Sequence, residues 1–200
     1  MTFAARENVP ASITVGMPGV HTYTSGSGTE VIPSSVNTLV IEVWGGSGGG
    51  GYGFVVYGTQ YSGGGGGAGG YAKTTISVTG HGGATMTYVV GTAGKFASSG
   101  GGQSSVTAGT FTMTTMLAGG GLVGLSSYGT GPSGGPGGSA SGGTDVDQAG
   151  GSGAPGGAGV GMGAPGIPGV NGTGSSGGQG GYGSFPGTDG GAGLVIFSYS

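Results

Sequence analysis

The chain has 200 residues, of which 61 are glycine and 9 are proline, and it carries only three basic and six acidic side chains. Three basic residues exclude the electrostatic footprint of a nucleic-acid-binding protein, and the absence of cysteine excludes disulfides and thiolate metal sites. Disordered chains are usually highly charged and poor in apolar residues, whereas 34% of this chain is hydrophobic and only 4% is charged. We therefore expect one ordered domain. Because catalysis usually needs charged or nucleophilic groups, we expect neither an enzyme nor a cofactor.

The N-terminal segment, residues 1–19, differs from the rest of the chain. It lacks the basic stretch and apolar run of a secretory signal peptide, and it ends in the turn signal Gly16-Met17-Pro18-Gly19. We interpret it as an attachment arm or a lead-in strand. Polar residues and glycines interrupt every apolar run of the chain well before about 20 residues, so we expect no membrane insertion.

From residue 20 onward, short β-patterned segments alternate with glycine runs. The clearest strand pattern covers residues 38–44, where Leu39, Ile41 and Val43 share one face. Similar patterns follow, including residues 110–118 and the C-terminal 193–200, and no segment has a helical period. The sequence therefore predicts an all-β fold. The residues that we expect in one core are Leu39, Ile41, Val43, Ile76, Val78, Val89, Leu194 and Ile196.

Two glycine-rich insertions, residues 45–70 and 118–193, interrupt this β pattern within a domain that covers residues 20–200. Glycine recurs at every third position in parts of 150–172, which is the period of an extended polyproline-II-type helix. Collagen requires an unbroken period, and this one slips at Met162. Buried N–H and C=O groups of such segments need partners, and the missing Cβ lets glycine backbones approach closely enough to provide them. The insertions therefore predict a polyglycine-II bundle.

An aromatic and apolar island within the first insertion is the main candidate binding element. Exposed aromatic side chains on loops are common binding anchors. The alternative is a hairpin that is buried against a neighbouring subunit. Both interpretations make the island a contact element for a receptor or a subunit. The candidate contact residues are Tyr52, Phe54, Val55, Val56, Tyr57 and Tyr61, with Tyr128, Tyr182 and Phe185 near the second insertion.

The remaining motifs have simpler explanations. Matches to GxGxxG and GxSxG are expected by chance at this glycine content, and no helix follows them. His21 and His81 are interpreted as surface or turn residues. Asp145, Asp147 and Asp189 are candidates for a Ca²⁺ site, but their Gly-Thr-Asp and Thr-Asp-Gly contexts favour turn-forming aspartates. We therefore predict no metal site.

The sequence resembles the glycine-rich domain family of bacteriophage tail fibres and other virion proteins. The resemblance covers residues 20–200, and its most specific parts are Val43-Trp44-Gly45-Gly46 and Leu194-Val195-Ile196 near the C-terminus. It implies a jelly-roll-like β-sandwich whose long glycine-rich loops form a polyglycine-II helix bundle. Family members in phages are usually parts of larger fibres.

This resemblance makes a virion structural protein the leading functional expectation, as a tail fibre, tail tip or head decoration that acts by rigid display and binding. The expected partners are other virion subunits and further copies of the chain, with a trimer favoured by analogy with phage fibres. The alternatives are an adhesin that binds a bacterial surface receptor, a self-assembling extracellular fibre and an ice-binding protein. Regular threonine or alanine ladders would favour ice binding, but the triplets carry Pro, Met, Ile, Val and Asn.

Overall fold

The computed structural model of the protein describes residues 18–126, 131–156, 163–164 and 176–200. This part of the chain contains strands and no helix, which confirms the all-β prediction. The strands are β1 Val20–Tyr23, β2 Ser27–Val31, β3 Thr38–Trp44, β4 Phe54–Val56, β5 Thr59–Tyr61, β6 Tyr71–Ser77, β7 Thr85–Val89, β8 Ser104–Ala108, β9 Met116–Ala118, β10 Ala140–Ser141, β11 Val146–Gln148 and β12 Leu194–Tyr199.

Ten of these strands form two antiparallel sheets that pack as a β-sandwich. The first sheet has the order β1-β12-β3-β6-β11, and the second has the order β10-β9-β8-β7-β2. The remaining two, β4 and β5, form a separate hairpin. β3 and β12 lie side by side near the centre of the first sheet, so the first and last strong strands of the sequence belong to one domain. The fully buried residues between the sheets include Leu39, Ile41, Val43, Val78, Met86, Val106, Met116, Val195 and Phe197.

The predicted core is correct for β3 and β6 and wrong for β7 and β12. Val89 is 46% exposed. Leu194 and Ile196 lie on the outer face, while Val195 and Phe197 point into the core. The first four residues of β12 are all apolar, so the sequence pattern does not select a face, and a shift of one residue exchanges the two faces of a strand. On the outer face, Leu194 lies opposite Trp44 of β3.

The predicted strand at 110–118 forms only over its last three residues, Met116–Ala118. The preceding residues bend across one side of the sandwich, where Phe111 is buried and Met113 packs against the core. The alternating sequence pattern of this segment therefore arises because its apolar side chains are buried. Its backbone is not paired with a neighbouring strand.

All the long glycine-rich excursions leave the sandwich from the same end. β3 ends at Trp44 and β6 begins at Tyr71, and these two residues are paired. The registers of the other strands place the excursions at 90–103, 119–139 and 149–193 at that end too. β10 and β11 lie within the predicted insertion 118–193, so the chain returns to the sandwich between two excursions. Within the described residues, the opposite end has only short connections, and β1 begins there at Val20.

The segment 45–51 forms backbone hydrogen bonds with a three-residue period. The amides of Gly45, Gly48 and Gly51 donate to the carbonyls of Gly70, Gly67 and Gly64. The amides of Gly46 and Gly49 donate to a second segment, and those of Ser47 and Gly50 donate to a third. This is the period of a polyproline-II-type helix, in which successive amides point in three directions. The three accepting segments are residues 64–70, 99–102 and 188–191.

The carbonyls of 45–51 complete the arrangement. They accept amides from three further segments, again with a three-residue period, so six chain segments surround this one. The returning segment 63–70 is surrounded in a similar way, with partners that include 119–125 and 151–154. Together, 45–51 and 63–70 are the central segments of the bundle. The donors to 45–51 are residues 94–97, 121–124 and 178–181. The rest of the predicted bundle, at 127–130, 157–162 and 165–175, lies outside the described residues.

This packing explains why the central segments are almost entirely glycine. A Cβ on any glycine of 45–51 would overlap the backbone of a neighbouring segment, in most cases a carbonyl oxygen. Gly48, for example, faces the carbonyl of Leu122, and Gly66 faces the carbonyl of Gly48. Ser47 is the exception within the first segment, and its hydroxyl accepts the Gly191 amide at 2.7 Å. Backbone hydrogen bonding therefore provides the cohesion that side chains provide in the sandwich.

Candidate functional site

The apolar island lies at the end of the bundle farthest from the sandwich. The segment 45–51 leads away from β3, the β4–β5 hairpin reverses the chain, and 63–70 leads back to β6. Seven residues of an extended glycine helix span about 22 Å at about 3.1 Å per residue. The hairpin and the neighbouring turn at 182–185 are called the tip below.

The hairpin has a two-residue turn formed by Tyr57 and Gly58. Both residues have positive φ, 47° and 82°, which is the combination that a type I′ turn requires. Glycine is the usual second residue of such a turn, whereas a tyrosine in the first position is unusual because its φ is unfavourable for a large side chain. The Tyr57 side chain is fully exposed, at 104% of its reference area. The turn thus places an aromatic ring at the farthest point of the excursion.

The structure brings most of the predicted contact residues together at this tip. Tyr182 forms isolated β-bridges with Ser62 and Phe185, which attach the 182–185 turn to the base of the hairpin. The Tyr52 ring lies edge-on to Phe96 with 4.7 Å between centroids. Phe54, Val56, Tyr61 and Tyr182 are half-buried. Tyr128 lies outside the described residues.

Four of the predicted residues present large apolar surfaces to solvent. Besides Tyr57, the exposed fractions are 63% for Phe185, 52% for Tyr52 and 50% for Val55. Exposed apolar patches of this kind mark interaction sites in soluble proteins. No charged residue occurs in 46–72 or in 176–188. The tip is therefore suited to a partner that it contacts through aromatic and aliphatic side chains and through uncharged polar groups.

The nearest described ion pair lies on the side of the bundle. Lys95 donates to the Asp189 carboxylate at 2.9 Å, and the Phe96 amide donates to the same carboxylate at 2.7 Å. The hydrogen bond from Lys95, followed by that from the Phe96 amide, lowers the pKa of Asp189 below its ordinary value. Both charged side chains are largely exposed, so this pair connects two surface segments and contributes little to stability.

The three aspartates of the candidate Ca²⁺ site do not form one group. Asp189 is paired with Lys95 as described above, whereas Asp145 and Asp147 belong to the turn before β11. Asp147 accepts the Gly143 amide at 2.9 Å, and Asp145 accepts the Thr75 hydroxyl at 2.6 Å. The Asp147 contact is that of a turn-forming aspartate, whereas the Asp145 contact attaches this turn to β6. Among the described residues, no group of three or more acidic or histidine side chains has the arrangement of a metal site.

A second polar cluster, which the sequence interpretation missed, closes one side of the sandwich between β1 and β2. Glu30 is 3% exposed, and three side chains hydrogen-bond to its carboxylate: His21 at 2.7 Å, Tyr23 at 2.6 Å and Tyr199 at 2.7 Å. Burial, followed by the hydrogen bond to Glu30, raises the pKa of both tyrosines above the ordinary value. His21 lies on the edge strand β1 with 26% of its side chain exposed, and it also hydrogen-bonds within this cluster.

The cluster is a structural element that joins the two sheets. Tyr199 is on β12 of the first sheet, and Glu30 is on β2 of the second. The Tyr23 ring also stacks on Tyr88 of β7 at 4.0 Å between centroids. Alternation within a strand places His21 and Tyr23 on the same face of β1, but the sequence does not show which face is inner or that an isolated glutamate is buried.

No protein-family model matches the sequence, and no curated protein sequence matches it significantly. Within the part of the chain that the structure describes, no helix is long and apolar enough to cross a membrane.

Proposed function

We propose that the protein is a structural component of a bacteriophage particle, displayed at the particle surface, which holds an aromatic tip away from its attachment end. The observation that carries this proposal is the opposite placement of the two ends. The chain enters the sandwich at Val20, at the end remote from the bundle, while Tyr57 lies at the far end of the bundle. Residues 1–19 are then the attachment arm, and the glycine-rich bundle is a spacer.

The construction of the spacer supports a display role. The central segments are surrounded by hydrogen-bonded neighbours and have no room for additional atoms at their glycine Cα positions. Fixing glycine in one conformation has a high entropic cost, which these multiple hydrogen bonds offset. A rigid spacer of small cross-section keeps a binding tip at a fixed distance from a surface. The resemblance of residues 20–200 to virion glycine-rich domains supports the phage assignment.

A receptor-binding adhesin is the second candidate, and the exposure of the tip favours it. Phe185 and Tyr57 have large exposed areas, whereas a purely structural spacer has no need for aromatic rings at its end. Under this alternative, the tip binds a receptor on the bacterial surface. The two candidates share one orientation of the protein and differ only in what the tip contacts.

The orientation is tested with single cysteines, since the natural chain has none. Tyr57→Cys places a thiol at the tip, and Ser35→Cys places one in an exposed loop at the opposite end, just before β3. Both variants should react with a bulky maleimide in the free protein. On purified particles, mass spectrometry should detect the protein as a virion component, and only the Tyr57→Cys variant should be labelled. Absence from particles, or labelling of Ser35→Cys alone, would contradict the proposal.

The adhesin alternative is tested at the tip. Replacing Tyr57 with Ser should leave the melting temperature of the protein nearly unchanged, because the ring makes no buried contact. If the tip binds a receptor, particles that carry Tyr57→Ser adsorb more slowly to host cells than wild-type particles. Ser35→Ala, at the other end, serves as the matched control. Unchanged adsorption in both variants would leave display as the only role of the tip.

A further inference from the structure

Two free strand edges lie on the same side of the sandwich. β1 is the outermost strand of the first sheet, and β2 is the outermost strand of the second. Tyr23 of β1 donates to the Glu30 carboxylate of β2 at 2.6 Å, which links the two strands across the core. On the opposite side, β10 and β11 are the outermost strands, and a short turn joins them. The β1–β2 side therefore presents an edge of each sheet.

The strand pairing shows which backbone groups point away from the sandwich. The Gly19 carbonyl accepts the Tyr199 amide, so odd-numbered residues of β1 bond to β12 and even-numbered residues face outward. The Gly26 carbonyl accepts the Val90 amide, so even-numbered residues of β2 bond to β7 and odd-numbered residues face outward. Among the described residues, no backbone hydrogen bond reaches these outward groups. The outward residues are Val20, Thr22, Ser27, Thr29 and Val31, and all but Val31 are exposed.

Neither edge is protected in the usual way. Exposed strand edges are commonly blocked by lysine or proline, because they otherwise pair with other chains. β1 and β2 contain neither residue type, and their outward residues carry no charge. Val20 is 66% exposed, more than any other large aliphatic side chain that the structure describes. An unprotected edge with an exposed valine is suited to pairing with a further strand.

Contacts across the core show which residues of the two strands lie level with each other. His21 bonds to Glu30 at 2.7 Å, so these two residues are at the same height. The Tyr23 ring stacks on Tyr88, which is paired with Gly28, so Tyr23 is at the height of Gly28. β1 runs toward the bundle and β2 runs away from it. The two strands are therefore antiparallel, and their residues match at a constant offset.

A second copy of the chain fits both edges at once. A two-fold axis parallel to the strands exchanges the two sheets and keeps every residue at its height, so β1 of each copy lies beside β2 of the other. The same offset brings Thr22 opposite Thr29 and Val20 opposite Val31, and all four residues direct their free backbone groups toward the other copy. We propose that two copies form an isologous dimer in which β1 of each adds to β2 of the other.

The side chains at this contact match in character. Val20 of one copy covers Val31 of the other, and Thr22 with Thr29 forms a cross-strand threonine pair, which favours antiparallel pairing. On the inner face, the same register places His21 opposite Glu30 of the second copy. An imidazole therefore lies beside a carboxylate, and like charges are not opposed.

Pairing of β2 with β2 of the second copy is the competing arrangement. The register that engages all three outward residues of β2 places Thr29 opposite itself and Val31 opposite Ser27, so Val31 gains no apolar neighbour. It also reverses one copy, so that the two tips point in opposite directions. The β1–β2 contact directs both tips the same way, which is compatible with display from one surface.

The resulting unit is a dimer, which differs from the trimer that we expected by analogy with phage fibres. The inference concerns assembly and does not depend on what the tip contacts. It is tested on the purified protein alone, so its failure would leave the display proposal unaffected.

The first experiment uses mixed single-cysteine chains. Chains carrying Thr22→Cys are mixed under mild oxidation with chains carrying Thr29→Cys, and disulfide-linked heterodimers are expected, because paired strand residues approach within disulfide distance. Thr87→Cys is the control in place of Thr29→Cys, since Thr87 is exposed at the same height but one strand, about 4.8 Å, farther from the edge. No preference for Thr29→Cys over Thr87→Cys would overturn the proposal. Predominant disulfides between two Thr29→Cys chains would also overturn it, in favour of the β2–β2 arrangement.

The second experiment compares two exposed valines. Val20→Ser should raise the concentration for half-dimerisation, measured by sedimentation, by roughly tenfold or more, because the dimer contains two copies of the lost contact. Val89→Ser is the matched control, since Val89 is 46% exposed on β7, which is paired on both sides. It should leave that concentration within about threefold. Equal effects of the two, or a wild-type protein that stays monomeric at its highest soluble concentration, would contradict the dimer.

Discussion

The substitution Gly48→Ala tests whether the bundle is held together by close backbone packing. The new Cβ would overlap the Leu122 carbonyl, and relief requires the neighbouring segments to separate. Two backbone hydrogen bonds are affected: Gly48 donates to Gly67 at 2.9 Å, and its carbonyl accepts the Gly178 amide at 2.8 Å. Overpacking costs about 1–3 kcal/mol, and each weakened hydrogen bond costs about 1 kcal/mol.

The substitution of glycine by alanine also stabilises the protein by about 0.4–1 kcal/mol, because it restricts the unfolded chain. The expected net loss is therefore about 2–5 kcal/mol. For a chain of this size, such a loss lowers the melting temperature by about 4–20 °C.

Gly119→Ala is the matched control, because the nearest atom to its added Cβ is the Ser139 amide nitrogen at 3.1 Å. A displacement of a few tenths of an ångström accommodates it, so we expect a change within about 1 kcal/mol. Thermal denaturation followed by circular dichroism measures both variants. If Gly48→Ala and Gly119→Ala melt within 1 °C of each other, close packing does not explain the glycine content of the central segments.

Three further predictions concern the sandwich. Replacing Glu30 with Ala removes the carboxylate that accepts the Tyr23 and Tyr199 hydroxyls and should lower the free energy of unfolding by about 3–5 kcal/mol, measured by urea denaturation. Because the pKa of Tyr199 is raised in the folded protein, its contribution to stability is complete below about pH 10 and decreases as the pH rises further. Tyr199→Phe should therefore make the alkaline decrease in urea midpoint shallower, and an unchanged slope would refute this reasoning. Deleting residues 193–200 removes β12 from between β1 and β3 and should prevent folding, so a soluble truncated chain with a cooperative melting transition would be inconsistent with the sheet order.

The sequence was sufficient to predict the strands with strict alternation. In β3, Leu39, Ile41 and Val43 alternate with Val40, Glu42 and Trp44, and the glutamate marks the outer face; all three aliphatic residues are in the core. It was insufficient for β12, where consecutive apolar residues left the face undetermined. It also failed at residues 111–115, where Phe111 is buried from a bend. In each case, the missing information was the position of neighbouring segments.

The candidate site followed a similar pattern. The island at 52–61 was visible as an aromatic segment between glycine runs, and the Tyr57-Gly58 turn is compatible with that sequence. Its position at the end opposite Val20, where β1 begins, depends on the direction of β3 and β6, which cannot be read from the sequence. The burial of Glu30 was also invisible, because its partner Tyr199 lies 169 residues away.

The central claim is that the glycine-rich segments form an ordered, hydrogen-bonded spacer, and amide hydrogen exchange tests it most directly. Peptides that cover 45–51 and 63–70 should exchange as slowly as those from β3 and β6, because their amides are buried and bonded to neighbouring segments. Exchange at the rate of an unstructured glycine peptide, with β3 and β6 still protected, would contradict the claim.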